Sequence, residues 1–320
     1  MNISAYILAA GKGTRLYPFS NAKPKAMLPL LNKPIIFHSI DRLLEAGFTN
    51  IGVIIKEKDN ITPSEVQKAF PDLDPFFIVQ KEALGTGNAV LQIKDYPTTE
   101  HFLVIAGDSL FDSSFLKQLY EIHLYEKNTI TLSLEKMKFK LMQASSTVDY
   151  RNGRVWKIRE KPQNESEVLS DLNSAALYIF SKSIFDVLKT INKSERGEYE
   201  LVTAINETIR AQNRVGGVIT QRVCHISTAK DLWRFNLQFL LETDASKING
   251  NIIGEKVRIN ESVYIQNSIL GNNSVVKESV SIKNSVVLPD TIIDQDYENS
   301  LVQSGYFKTF RSNELFSSSL

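Results

Sequence analysis

An apolar run leads directly into a glycine-rich loop in the stretch Ala5-Tyr-Ile-Leu-Ala-Ala-Gly-Lys-Gly-Thr-Arg15. The run is typical of a strand that is covered on both faces of a sheet. Similar runs occupy residues 51–55, 76–79 and 102–106, and apolar residues recur at helical spacing between Ile35 and Gly47. Because strands alternate with helices, we predict an α/β fold, with an open, largely parallel (mixed) sheet that has helices on both faces.

Later segments continue this alternation. Further strands are predicted at 129–134, 154–158 and 175–180, and further helices at 182–188, 199–211 and 230–242. Ligands of such sheets bind beyond the carboxyl ends of the strands. The loops that follow Ala10 and Ala106 are therefore the first places to look for a functional site.

A different apolar period begins near Asn249. Apolar residues now recur every six positions, with one slip of a single residue, at Val257, Val263, Ile269, Val275, Val280, Val286 and Ile292. A six-residue period predicts a short left-handed parallel β-helix with three strands per coil, and two β-hairpins with accidental spacing are the alternative. We expect an α/β domain over residues 1–245, the β-helix over 246–305 and a C-terminal tail over 306–320.

Composition narrows the class of protein. Among 320 residues, 37 Lys and Arg are balanced by 36 Asp and Glu, so the chain lacks the excess of positive charge that is typical of nucleic-acid-binding proteins. The single Cys224 excludes an intramolecular disulfide, and no apolar run approaches the length of a membrane span. Lys12, the first positive charge, follows the first apolar run, which is the reverse of a signal peptide. We expect a cytoplasmic protein that has neither nucleic acid nor a membrane as a partner.

The glycine loop carries the strongest chemical signal. It is not a dinucleotide-binding G-x-G-x-x-G motif, because Leu16 takes the third glycine position, and it lacks the G-K-[ST] ending of a P-loop. Gly11 and Gly13 allow the backbone to approach a phosphate, while Lys12 and Arg15 add positive charge. This combination indicates a triphosphate site.

A second cationic segment follows at Lys23-Pro-Lys25. Near a phosphate loop, Lys25 can neutralise charge on the phosphorus that is being attacked. A solvated loop lysine is the alternative interpretation, and the neighbouring glycine loop favours the first.

Several motifs occur together in one order, namely Gly11-Lys-Gly-Thr-Arg15-Leu-Tyr-Pro18 with Pro24-Lys25, Leu84-Gly-Thr-Gly87, Gly107-Asp108, Glu160-Lys-Pro162 and the terminal hexapeptides. The set resembles the sugar-1-phosphate nucleotidylyltransferases, such as the glucose-1-phosphate thymidylyltransferases and uridylyltransferases, over nearly the whole chain. The resemblance implies an enzyme whose catalytic domain, residues 1–245, joins a nucleoside triphosphate and a sugar-1-phosphate into a nucleotide sugar and releases pyrophosphate. It favours dTTP or UTP and a hexose-1-phosphate. A short β-helix with apolar faces also favours a homo-oligomer.

The resemblance also assigns roles to individual residues. Arg15 and Lys25 are the expected catalytic residues, and Asp108 is the expected ligand of Mg²⁺, which binds carboxylates and substrate phosphates. The expected nucleotide-binding residues are Leu8, Ala10, Gly11, Lys12, Gly13, Thr14, Gln80, Gly85 and Thr86. Gln80 offers both a donor and an acceptor to the edge of uracil or thymine. The expected sugar-phosphate ligands are Glu160, Lys161, Asn173 and Glu198.

Three positions depart from the family pattern. His225 stands where relatives carry Asp or Asn as a second metal ligand; it is either a ligand that favours Mn²⁺ or Co²⁺ over Mg²⁺, or a structural residue. Ser145 or Ser146 stands where relatives commonly have Gly near the sugar, and Thr203 stands where many have Asp.

These departures keep three alternatives open. They are a non-standard acceptor, such as a cyclitol phosphate or a phospho-alcohol, another base, and a non-catalytic regulator that binds nucleotide sugars. A hexapeptide acyltransferase is disfavoured, because all four histidines precede the repeat.

Overall fold

The structure, a computed structural model, describes residues 3–243 and 248–315. Its helices are α1 (Ile35–Glu45), α2 (Ile61–Ala69), α3 (Thr86–Leu91), α4 (Ser113–Tyr125), α5 (Phe139–Met142), α6 (Ile184–Leu188), α7 (Leu201–Arg210) and α8 (Ala229–Glu242). The strands before α8 are β1 (Ser4–Leu8), β2 (Pro29–Leu30), β3 (Lys33–Pro34), β4 (Asn50–Lys56), β5 (Phe76–Gln80), β6 (His101–Ala106), β7 (Ser109–Leu110), β8 (Ile130–Lys136), β9 (Ser146–Arg151), β10 (Arg154–Glu160), β11 (Leu172–Ser181), β12 (Val215–Ile219) and β13 (Cys224–His225). The strands after α8 are β14 (Ile252–Ile253), β15 (Arg258–Ile259), β16 (Tyr264–Gln266), β17 (Ile269–Leu270), β18 (Val275–Val276), β19 (Ser281–Lys283), β20 (Val286–Val287), β21 (Ile292–Ile293), β22 (Tyr297–Glu298), β23 (Ser300–Gln303) and β24 (Tyr306–Thr309).

The described residues form two units. Residues 3–12 and 37–224 form the sheet unit, and residues 13–36, 225–243 and 248–315 form the β-helix unit. The expected domain boundary between residues 245 and 246 lies outside the described residues, as does the end of the expected tail, residues 316–320. Among the described residues, the helices are too short or too polar to cross a membrane.

One mixed sheet builds the sheet unit, in the strand order β5-β4-β1-β6-β11-β8-β12-β10-β9. Strands β5, β4, β1 and β6 are parallel to one another. Strand β11 is antiparallel to β6 and β8, β12 is parallel to β8, and β10 is antiparallel to β12 and β9. Tyr6 and Ile7 of β1 are fully buried, as expected for a strand that is covered on both faces. The predicted α/β fold with a mixed sheet is confirmed.

Strand β11 is interrupted by a bulge. Its register against β8 shifts between Ser174 and Tyr178. Within this bulge Ala176 has a φ of 55°, in the left-handed region where an L-residue brings its Cβ atom close to the next carbonyl oxygen. The bulge begins after Ser174, the residue that follows Asn173, one of the expected sugar-phosphate ligands.

Three parallel sheets form the β-helix, with the orders β14-β17-β20-β23, β15-β18-β21 and β16-β19-β22. Residues that pair between the first coils are 17 positions apart, such as Ser285 N and Ser268 Oγ, whereas Val286 and Leu301, which pair onto the last coil, are 15 apart. The 17-residue coils are one residue shorter than three hexapeptides, because the step from Tyr264 to Ile269 is five residues and its counterpart in the next coil is equally short. The predicted parallel β-helix is confirmed, but the position of the slip is not. The slip was predicted between Val275 and Val280, whereas the step from Val275 to the next strand, at Ser281, is six residues, and the short steps run from Tyr264 to Ile269 and from Ser281 to Val286.

Helix α8 and strand β24 complete the β-helix unit. The helix begins with a capping box between Thr228 and Asp231. Fully buried Trp233 donates its indole N–H to Asn284 O at 2.9 Å and stacks on Phe310 at 4.9 Å between ring centroids. Strand β24 pairs antiparallel with β23 and so ends the parallel order of that sheet.

Candidate functional site

The carboxyl ends of β1 and β6 lie side by side in the sheet unit. Leu8 and Ala106 are the last paired residues of the two strands, and Gly107 N donates to Leu8 O at 2.9 Å. A Cβ atom at Gly107 would lie 2.8 Å from Leu8 O, so this approach requires glycine. The start of the glycine loop and Asp108 therefore leave the sheet at the same edge.

The second half of the glycine loop belongs to the β-helix unit. Gly13 has a φ of 66° and precedes a 3-10 helix, Thr14–Leu16, whose last residue is fully buried. A Cβ atom at Gly13 would lie 3.2 Å from Lys25 Cβ, so the loop and the lysine stem are in contact. Lys25 begins the next 3-10 helix, directly after Pro24. The structure thus brings Gly13, Thr14, Arg15 and Lys25 together.

The polar side chains of this loop are open to solvent. Lys12, Thr14 and Arg15 are exposed, and Lys25 is half-buried. Exposed cationic side chains beside a glycine backbone are accessible to a phosphate chain.

Gln80 ends β5 and is buried. Its Nε2 donates to Gly85 O at 3.2 Å and to Asn88 Oδ1 at 2.9 Å. Both amide hydrogens are therefore engaged, and Oε1 is the atom that can meet a base. An acceptor matches the N3–H of uracil or thymine, whereas the ring nitrogens of adenine and cytosine at that edge are themselves acceptors. This geometry replaces the expected donor and acceptor pair with an acceptor alone.

The segment around Gly85 is clamped against the chain before α7. Tyr199 N donates to Leu84 O at 2.8 Å, and Gly87 N donates to Tyr199 O at 2.8 Å. Cβ atoms at Gly85 and Gly87 would each lie 2.8 Å from Tyr199 O. The structure therefore brings Gly85 and Thr86 next to Glu198, the neighbour of Tyr199, although the sequence separates them by more than a hundred residues.

Glu160 ends β10 within a group of charged side chains. Arg196 Nη2 lies 3.8 Å from Glu160 Oε1 and 2.7 Å from Glu200 Oε1. Burial raises the pKa of Glu160 to about 7; Lys161 and Arg196 oppose this rise, while Glu200 and Glu198 add to it. At neutral pH, Glu160 therefore exists both as a carboxylate and as a neutral acid.

Arg196 was not predicted from the sequence as a site residue. It stands two residues before Glu198, an expected sugar-phosphate ligand. A positive charge so close to that residue is the sequence feature that could have identified Arg196. Asn88 was likewise not predicted, because its role is to hold the side chain of Gln80.

Asn173 is enclosed by its neighbours. Its Oδ1 accepts hydrogen bonds from Ser145 Oγ at 2.7 Å and from Ser146 N and Oγ at 3.0 and 2.8 Å, and its Nδ2 donates to Glu135 Oε1 at 3.0 Å. Asn173 is 1% exposed, whereas Ser145 is half-buried. This environment fits a residue that positions Ser145 rather than one that contacts a ligand itself. The backbone of Ser145 also accepts a hydrogen bond from Lys161 N at 2.7 Å.

The expected metal ligands lie in different units. Asp108 follows β6 and accepts a hydrogen bond from Ser109 Oγ at 3.3 Å, while His225 is the last residue of β13 and belongs to the β-helix unit. Within the described residues, His, Cys, Asp and Glu side chains form no group of three that could hold a metal ion. Mg²⁺ is commonly bound through one or two carboxylates plus substrate phosphates. A single carboxylate at the edge where the glycine loop begins fits that ion, and the role of His225 stays a prediction.

Comparison with known protein sequences gives a consistent result. The family described as nucleotidyl transferase matches residues 4–242. The bifunctional protein GlmU of Methanococcus maripaludis is 34% identical over 267 residues, which cover 82% of this chain and 60% of GlmU. The UTP–glucose-1-phosphate uridylyltransferase AglF of Haloferax volcanii is 29% identical over 221 residues, which cover 68% of this chain and 87% of AglF. The chain thus spans about three fifths of the length of the GlmU relative.

Comparison with solved structures shows the same fold. A UDP-glucose pyrophosphorylase complexed with UDP-glucose has a TM-score of 0.68 at 19% identity, covering 76% of this chain and 100% of the other. The inositol-1-phosphate CTP transferase of T. maritima has a TM-score of 0.62 at 18% identity, covering 71% of this chain and 90% of the other.

Proposed function

Because the chain belongs to the nucleotidyl transferase family, we propose that it transfers a nucleotidyl group from dTTP or UTP to a hexose-1-phosphate. An oxygen of the sugar phosphate attacks the α-phosphorus, a new P–O bond forms, and the bond to the leaving pyrophosphate breaks. The products are a nucleotide sugar and pyrophosphate. The observation that carries the proposal is the contact between Gly13 and Lys25, which joins a phosphate-binding loop to a cation suited to charge at the phosphorus.

The glycine loop holds the triphosphate in this proposal. Backbone N–H groups between Gly11 and Thr14 bind phosphate oxygens, and Lys12 and Arg15 neutralise their charge. The β1 end, from Leu8 to Ala10, contacts the nucleoside. Gln80 Oε1 accepts the N3–H of the base, and this single contact selects uracil or thymine over adenine and cytosine.

The acceptor occupies the segments around Glu160. In its carboxylate form Glu160 accepts a hydrogen bond from a sugar hydroxyl, while Lys161 and Arg196 supply positive charge for the phosphate. Glu198 provides a second carboxylate for the sugar. Asn173 acts through Ser145, whose hydroxyl it orients.

Asp108 would hold a divalent cation, with Mg²⁺ as the ion that its carboxylate favours. When bound, the ion supplies positive charge that stabilises the phosphate oxygens of the triphosphate. Asp108 would hold the ion close to the end of β1, since Gly107 N, in the preceding residue, donates to Leu8 O.

A second class of acceptor is a cyclitol phosphate. The side chain of Ser145 adds bulk and a hydroxyl group, and a hydroxyl group can bind an additional ring hydroxyl of the acceptor. The structural neighbour from T. maritima is described as an inositol-1-phosphate CTP transferase.

The proposal is tested by pyrophosphate release from the purified full chain. Five nucleoside triphosphates are each supplied with Mg²⁺ or Mn²⁺ and with hexose-1-phosphates or inositol-1-phosphate, and products are identified by mass. We expect release with dTTP or UTP and a hexose-1-phosphate. Lys25→Met should lower the rate by about 100-fold or more, whereas Lys23→Met, at an exposed lysine two residues earlier, should change it little. Nucleotide binding without release under every condition would overturn the proposal and favour a regulator.

A further inference from the structure

The hairpin β2–β3 directly follows the 3-10 helix that contains Lys25. Its two-residue turn consists of Leu31 and Asn32, whose φ angles are 50° and 62°. Ile35 N donates to Leu28 O at 3.0 Å and closes the base of the hairpin. The position of this hairpin therefore fixes the C-terminal end of the 3-10 helix that contains Lys25.

Leu31 occupies a backbone conformation that leucine rarely adopts. Asparagine tolerates the left-handed region, whereas in leucine the Cβ atom crowds the carbonyl oxygen. Such a residue persists only where its surroundings fix the conformation. The contacts of the turn show which groups do so.

Asn236 binds the turn and the strand that precedes it. It lies on α8 and is 1% exposed. Its Oδ1 accepts a hydrogen bond from Leu31 N at 2.8 Å, and its Nδ2 donates to Pro29 O at 3.1 Å and to Leu232 O at 2.8 Å. A buried amide with all of these bonds made specifies one geometry, because any shift of the hairpin would leave buried polar groups unpaired.

A second amide joins the turn to the β-helix itself. Asn32 Nδ2 donates to Leu270 O, in strand β17, at 2.8 Å. Helix α8 is fixed on the next coil by the hydrogen bond from Trp233 to Asn284 O. The hairpin is therefore connected to the coils of the β-helix in two ways, directly through Asn32 and indirectly through Asn236 on α8.

We infer that the β-helix of this protein serves the transfer reaction by positioning Lys25, and that Asn236 and Asn32 are the positioning residues. The inference rests on the proposed function, in which Lys25 faces charge that develops at the α-phosphorus. Charge stabilisation of this kind is sensitive to displacements of about 1 Å. The coils thus act as the support of a catalytic loop, a role that needs no chemistry in the repeat.

The first test is a double-mutant cycle on the full chain. Asn236→Ala should lower kcat about tenfold or more and leave the KM for the sugar phosphate within about threefold. Asn32→Gly, which keeps the left-handed turn, should act in the same direction. If Asn236 acts through Lys25, Asn236→Ala should have no further effect in a Lys25→Met background, measured by single turnover. Independent, multiplicative losses would overturn the inference.

Asn251→Ala is the matched control. Asn251 is also a buried amide of the β-helix unit, 4% exposed, but it accepts from Ser268 N and donates to Asn249 O and Ile265 O instead of binding the hairpin. This variant should lower the melting temperature and keep kcat within about twofold. A general loss of stability would instead lower kcat in both variants alike.

Amide hydrogen exchange gives a readout that does not depend on activity. Peptides from residues 13–36 should exchange about tenfold faster in Asn236→Ala and at the wild-type rate in Asn251→Ala. Unchanged exchange over 13–36 would overturn the inference even in an active enzyme. A wild-type chain that releases no pyrophosphate would overturn the proposed function, and the exchange result would still decide whether Asn236 positions this segment.

Discussion

The Glu160 carboxylate lies 3.8 Å from the guanidinium of Arg196, which also binds Glu200 at 2.7 Å. Two acids thus share one cation, and Glu160 is the more distant of the two. Burial therefore outweighs the attraction to the cation and raises the pKa of Glu160 to about 7. Glu160, an expected sugar ligand, therefore changes its protonation state close to neutral pH.

We expect kcat/KM for the sugar phosphate to rise with pH through about pH 7. As a carboxylate, Glu160 can accept a hydrogen bond from a sugar hydroxyl on either oxygen. As a neutral acid it carries its own proton on one of those oxygens, which then accepts poorly. Glu160→Gln should lower kcat/KM about tenfold at pH 8 and remove this inflection. The measurement is the pH profile at saturating triphosphate. Asp149→Asn, at a carboxylate that pairs with exposed Arg151, should keep the inflection; a flat wild-type profile from pH 6 to 8 would contradict the assignment.

The same pKa predicts how stability depends on pH. The folded-state pKa of Glu160 lies above its ordinary value of 4.5, so the folded protein binds the proton more tightly than the unfolded chain does. The contribution of Glu160 to the free energy of unfolding should therefore fall as pH rises from about 4.5 to about 7. Urea unfolding at pH 5, 6 and 7.5 should show a smaller decline for Glu160→Gln than for the wild type. An equal decline in both proteins would contradict the shifted pKa.

The parts of the fold that were predicted from the sequence are those with continuous or periodic apolar patterns. Strands β1 and β6 are long buried runs, and the hexapeptide period identified the β-helix. Strand β9, Ser146–Arg151, was not predicted because it lies at the edge of the sheet and mixes polar with apolar residues. The grouping of residues 13–36 with the β-helix depends on Asn236 and Leu31, which are 205 positions apart, and no local pattern encodes such a pair.

Candidate site residues were predictable where they stand in a short motif after a strand. Asp108 and the glycine loop are of this kind, because the ends of parallel strands meet at one edge. The engagement of the Gln80 amide and the enclosure of Asn173 depend on side-chain partners that the sequence does not place. Arg196 gains its role only from its distance to Glu160.

Gly85→Ala should weaken triphosphate binding. Gly85 has a φ of 98°, and an added Cβ atom would lie 2.8 Å from Tyr199 O, so the segment whose Gly85 O binds the side-chain amide of Gln80 must move. We expect the KM for dTTP or UTP to rise about tenfold, with a smaller change in the KM for the sugar phosphate. Steady-state kinetics with each substrate varied in turn measures both values.

Gly153→Ala is the control for Gly85→Ala, because it introduces the same kind of backbone strain without a steric contact. Gly153 has a φ of 76°, but a Cβ atom there would meet nothing within 4 Å. This variant should lose about 1 kcal/mol of stability and keep the wild-type KM for the triphosphate. If Gly153→Ala and Gly85→Ala raised that KM equally, the clamp between Gly85 and Tyr199 would not be the cause.

Ala176→Gly should stabilise the protein. Ala176 has a φ of 55° in the bulge of β11, and removal of its Cβ atom relieves about 1–2 kcal/mol of strain, which exceeds the added entropy of glycine in the unfolded chain. We expect a net gain of about 0.5–1 kcal/mol in the free energy of unfolding, measured by urea denaturation. The neighbouring Ala175 is fully buried and has no left-handed φ, so Ala175→Gly should instead cost about 1 kcal/mol. Losses of the same size in both variants would show that the bulge stores no strain at Ala176.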